Sequence, residues 1–157
     1  MNDVWRELAA RTGEFNLIPH LTALAIAYLL ALPIAWDREQ SERSAGLRTF
    51  PLVAIASCGF LQAAETLIQG EPEATARIIE GIINGIGFIG GGAILVMKAS
   101  IRGTATAASL WATGAIGTAV GLGVYDIAIV LSLVTFLTLR AMTPLKRRDD
   151  RHASIAD

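Results

Sequence analysis

Charge is scarce in this chain of 157 residues: 17% are Asp, Glu, Lys or Arg, against about 25% in soluble domains. The charges gather at the two ends and in short patches, leaving long uncharged runs. A net charge of −1, with no basic stripe interleaved with aromatics, excludes a nucleic-acid partner. Cysteine is almost missing. Cys58 alone permits no intramolecular disulfide and, set in an apolar run, reads as a small packing residue. His20 and His152 are isolated, without partners at metal-ligand spacing. No nucleophile–base constellation is visible, so the chain reads as a non-enzyme with no cofactor. A cleavable secretory leader is not expected either. Arg6 and Arg11 are balanced by Asp3, Glu7 and Glu14, and the first apolar run ends in Trp36-Asp37-Arg38-Glu39 rather than small residues.

What the chain has instead is apolar length. About 20 apolar residues cross a bilayer core as a helix. Five such runs are expected to span: Leu17–Trp36, Phe50–Ile68, Arg77–Met97, Thr104–Leu122 and Val124–Met142. The fold expected is therefore all-α, a polytopic membrane bundle of five transmembrane helices. Residues 1–16 form an N-terminal segment, read with equal weight as an interfacial helix or a solvated end. Residues 17–142 form the transmembrane domain, and 143–157 a polar tail, expected to be disordered beyond Lys146. With five spans, Arg38, Arg43, Arg48, Lys98, Arg102, Arg140, Lys146, Arg147, Arg148 and Arg151 fall on one side. Only Arg6, Arg11 and Arg77 fall on the other, which puts the C-terminus in the cytoplasm and the N-terminus outside.

The third run, RIIEGIINGIGFIGGGAILVM, reads as the central helix. Its Gly85-x-Gly87-x-x-Gly90 matches a dinucleotide fingerprint, but no acidic residue occurs between Glu80 and Asp126 and the flanks are apolar throughout. Gly81 with Gly85, Gly87 with Gly91, and Gly117 with Gly121 form small-xxx-small pairs. These predict close packing of the third helix on the fourth, whose Ser109 and alanines extend the small surface. The functional alternative is a helix opened at Gly90-Gly91-Gly92, whose free backbone groups could hold an ion or ligand.

Polar residues at membrane depth are few. Glu80 and Asn84, four residues apart, share a face of the third helix, with Arg77 as the nearest partner for Glu80. Glu65, Glu71, Glu73, Glu80 and Asp126 map toward the outer side. Solvated interfacial charge is the favoured reading of that group. A divalent-cation site using Glu80, Asn84 and Asp126, with Mg²⁺ as the hard cation, is the alternative. On the inner side, Arg48 either anchors a helix end at lipid headgroups or pairs with Asp37.

Three ordered blocks resemble the membrane domain of the MgtC/SapB family: AGLRTFPLV (Ala45–Val53), RIIEGIINGIGFIGGGAI (Arg77–Ile94) and RGTATAASLWATGAIGTAVGLGVY (Arg102–Tyr125). The resemblance extends over about residues 20–140. The resemblance carries an inner-loop motif onto Asp37, Arg38, Gly46, Arg48 and Thr49. Family members place glycines and a Glu-Arg-Glu step where this chain reads Ala35-Trp36-Asp37-Arg38-Glu39. Many also carry a soluble C-terminal domain, whose functions are not transferred here. The resemblance implies a bacterial inner-membrane protein linked to magnesium homeostasis, acid tolerance or intracellular survival. It also implies a regulatory or accessory role through a membrane partner, such as the ATP synthase. The partners expected are lipid and another membrane protein or a second copy of the chain. A divalent-cation or small-solute transporter is the second reading.

Overall fold

The apolar runs, punctuated by proline and glycine, fold into five helices and one short hairpin in a computed structural model that describes residues 17–40, 45–65, 70–97 and 100–153. In chain order they are α1 (Leu17–Gln40), α2 (Thr49–Ala63), α3 (Pro72–Gly92), β1 (Leu95–Met97), β2 (Ser100–Arg102), α4 (Thr104–Gly121) and α5 (Tyr125–Ala153). Proline at the start of α3 fits the first helical turn, where its missing N–H costs nothing. Gly70, Gly103 and Gly123 supply positive φ angles at the turns before α3, α4 and α5.

Several boundaries differ from the sequence reading. The third helix starts at Pro72 and stops at Gly92, so it runs unbroken through Gly90 and Gly91. Leu95–Met97, expected to end the third span, instead pairs antiparallel with Ser100–Arg102, Val96 opposite Ile101. The second helix ends at Ala63, and the fifth runs on to Ala153 through much of the expected disordered tail. The N-terminal segment 1–16, with its expected interfacial helix, lies outside the described residues.

By length and composition, α1 and the Tyr125–Met142 part of α5 can cross a membrane, and α2 is apolar but shorter. The helix at the centre is α4, not α3 as expected, because α4 packs on all four other helices. That enclosure explains its composition. A helix surrounded by protein needs small residues for close approach more than it needs bulk apolar surface. Its Gly117 abuts the backbone of Ala54 in α2, and its Gly121 lies 3.1 Å, from a Cβ position, to the Cys58 carbonyl. Its Gly114 takes the Ile86 side chain of α3. The core is completed by Ile34, Phe50, Leu61, Leu110, Ile116 and Val120. Ser132 of α5 donates to the Leu30 carbonyl of α1 at 2.7 Å, and Gln62 of α2 donates to the His20 carbonyl at 3.3 Å. Meanwhile α3 rests on α4 and touches α2 only slightly.

Candidate functional site

Polar residues gather in several places, the wall of a cavity holding His20, Gln62, Glu65, Thr75 and Tyr125 among them. Another is the end of the bundle where α1 gives way to α2. Asp37 and Arg38 close α1 and are both buried, the Arg38 Nε donating to Asp37 Oδ2 at 3.1 Å and its Nη2 to the same oxygen. A charge held out of water needs such a partner. Asp37 thus holds its own neighbour, and among the described residues no ion pair joins it to the exposed Arg48, the tie that was one of two readings of that arginine. Glu39 reaches across the connection and accepts the Leu47 N–H at 3.0 Å. Its carboxylate occupies the space a Cβ on Gly46 would fill, which accounts physically for glycine there. Thr49 opens α2 beside this corner, half-buried.

At the same end Gly103, at φ +90°, lets the start of α4 lie against the Ala93 carbonyl. The hydroxyls that follow mostly turn onto their own helix: Ser109 donates to Ala105 and Thr106 carbonyls, Thr113 to Ser109 and Thr118 to Gly114. That is how a hydroxyl is satisfied where water is absent. Thr106 Oγ1 is buried without a hydrogen-bond partner among the described residues.

A third place is α3. Ile82, Ile86 and Gly90 face the bundle, and Gly90 lies 3.4 Å, from a Cβ position, to the Ala107 carbonyl. The other glycines correct the expected packing. A Cβ at Gly81, Gly85, Gly87, Gly91 or Gly92 would meet nothing within 4 Å, so these do not face α4. Within the helices the most tightly packed glycines are those of α4, including Gly114, which the sequence reading passed over. Its signal was the recurrence Gly114, Gly117, Gly121 along one helical stripe.

Arg77, Glu80 and Asn84 are exposed on α3, and among the described residues neither Arg77 nor Glu80 has an ion-pair partner. Asp126 is exposed in the first turn of α5. Among the described residues no three of His, Cys, Asp and Glu form a group able to hold a metal. Between α2 and α3 lies an apolar groove of about 810 Å³, lined by residues such as Leu52, Phe60, Ile78, Gly81, Gly85 and Ile89.

The MgtC family model matches residues 24–148. This chain belongs to the MgtC family. It is 36% identical to protein MgtC of Salmonella typhimurium over 118 residues, 75% of this chain and 50% of that protein. It is 35% identical to protein MgtC of Brucella abortus over 143 residues, 90% of this chain and 55% of that protein. It is 32% identical to protein SrpB of Synechococcus elongatus over 139 residues, 79% of this chain and 75% of that protein. The chain thus spans about half the length of the MgtC proteins it matches. No solved structure matches it. The apolar exteriors of α1 and α5, with Ile18, Leu29, Val130 and Leu137 exposed, fit a membrane protein of this family.

Proposed function

We propose that this MgtC-family chain is a five-span bacterial inner-membrane protein with a regulatory or accessory role in magnesium homeostasis, acting through a membrane partner rather than carrying an ion itself. The asymmetry of Lys and Arg supports an external N-terminus and a cytoplasmic C-terminus. The observation that carries the functional reading is the state of the central helix. A transport path needs polar or ionisable groups at mid-depth that face inward and are available to a solute. In α4, Ser109, Thr113 and Thr118 are committed to carbonyls of their own helix, and Thr106, whose hydroxyl has no partner among the described residues, stands in the first turn rather than at mid-depth. The groove beside α3 is walled mainly by apolar residues, and of its two hydroxyls Ser57 donates to the Val53 carbonyl of its own helix while Thr49 stands at the helix start. The charged residues Arg77 and Glu80 lie on the outside of the bundle.

The test is Mg²⁺ flux into liposomes holding the purified full chain and a Mg²⁺-sensitive dye. The rate expected equals that of empty vesicles. Saturable flux that Thr113→Val abolishes would favour the transporter reading and contradict the accessory one.

A further inference from the structure

The outward face of α3 is built for something other than lipid. Arg77, Glu80, Asn84, Gly87 and Gly91 are spaced three, four, three and four residues apart, and every one is exposed. At 3.6 residues per turn this makes a single seam, turned away from the side that buries Ile82, Ile86 and Gly90. Helix rise of about 1.5 Å per residue puts Asn84 about 18 Å from the start of a helix about 31 Å long, close to its middle. If α3 crosses the bilayer, as proposed above, the Asn84 amide points outward at mid-depth. Lipid chains offer that amide nothing to bond.

We propose that a second copy of this chain packs along this seam, α3 against α3, about a twofold axis normal to the membrane. The inference rests on the membrane-spanning reading and names the partner of that surface. Copies inserted with one topology share one orientation, so a twofold pair brings the two α3 helices together in parallel and in register. The seam is self-complementary in that arrangement. A carboxamide carries both donors and acceptors, so Asn84 satisfies Asn84 of the partner subunit. Asparagine at such a position favours two parallel strands in fixed register. Arg77 and Glu80 cancel in charge, and each Arg77 reaches Glu80 of the partner subunit. Gly87 and Gly91, with nothing within 4 Å of a Cβ, leave the backbone bare for close approach. Phe88, 85% exposed beside them, lies over the glycine backbone of the other copy. The seven-residue step from Arg77 to Asn84 to Gly91 gives the left-handed crossing of such pairs. A different membrane protein would have to supply both the amide and the charges; a second copy already has them.

The experiment is disulfide cross-linking of the full chain in native membranes. Gly87→Cys, Gly91→Cys and Ile89→Cys are oxidised separately, beside wild type with its buried Cys58. Gly87→Cys and Gly91→Cys are expected to give a disulfide-linked dimer. Ile89→Cys, on the groove side, and wild type are expected to give none. Adding Asn84→Leu to Gly91→Cys is expected to weaken association at least about threefold, the worth of one interhelical hydrogen bond in lipid. Adding Asn84→Gln is expected to retain most of it. A chain that resists carbonate extraction yet stays monomeric at both positions, or links only to another polypeptide, would overturn the homodimer and leave the membrane reading standing. A chain released by carbonate would overturn both.

Discussion

Replacing Gly117 by alanine adds one methyl group where the central helix presses most closely on another helix's backbone. The new Cβ falls on the Ala54 carbonyl oxygen, with the Ala54 carbonyl carbon and Cα each 2.9 Å away. These are backbone atoms in the interior of α2, so no rotamer change relieves the overlap. To restore ordinary van der Waals separation α2 and α4 must part by about 1 Å. Overpacking of this kind costs about 1–3 kcal/mol, and a rigid backbone obstacle belongs at the upper end. Alanine returns up to about 1 kcal/mol through its better helix propensity. The net loss is about 1–2 kcal/mol, a fall in Tm of about 2–8 °C for a chain of this size. Gly85→Ala is the matched comparison. It makes the same chemical change on α3, where a Cβ meets open space. Its Tm should be unchanged or raised by a few degrees, about 2–4 °C per kcal/mol. Circular dichroism melts of both variants in one detergent decide the matter. Equal Tm values, or a larger loss at Gly85, would refute the assignment of the close helix interface to α2 and α4.

Other outcomes follow from single contacts. Asp37→Ala strands the buried Arg38 guanidinium and should cost about 3–5 kcal/mol, whereas exposed Arg48→Ala should stay within about 0.5 kcal/mol by the same melts. Gly46→Ala displaces the Glu39 carboxylate from the Leu47 N–H. It should cost about 1 kcal/mol in wild type and less in a Glu39→Ala background, a coupling read by a double-mutant cycle. Gly103→Ala forces a Cβ onto a residue at φ +90° and against the Ala93 carbonyl. It should destabilise by about 1–3 kcal/mol or more, seen as a lower denaturant midpoint. Ser132→Ala removes the 2.7 Å bond to Leu30, and should cost only about 0.6 kcal/mol, because such bonds are worth little in the membrane.

Helix number, order and approximate limits were legible in the sequence because apolar length and the glycine and proline punctuation carry them directly. The corner between α1 and α2 was partly legible: the family resemblance picked out Asp37, Arg38 and Gly46, while the Glu39 bond that explains Gly46 spans eight residues and leaves no local pattern. Orientation of the glycines was not legible. In water an apolar stripe marks the inside of a helix; in a bilayer the outside is apolar too, and that contrast fades. Gly81–Gly85 and Gly117–Gly121 have the same spacing, yet one pair faces open space and the other is pressed against α2. The choice of α4 over α3 as the centre depends on which neighbours enclose it, a long-range property. The hairpin was missed because Ile94, Leu95, Val96 and Met97 continue an apolar run whose composition suits a helix or a strand. Its punctuation was Gly92 on one side and Gly103 on the other.

The proposed function and the proposed dimer both depend on α3 crossing the bilayer with its polar seam outward. Asn84→Cys tests this directly, since the position is exposed on the protein itself. In intact cells and in inside-out vesicles, a membrane-impermeant maleimide should leave this cysteine unmodified, and solubilisation in a dissociating detergent should make it react. Rapid labelling from either side of the undisturbed membrane would contradict the account.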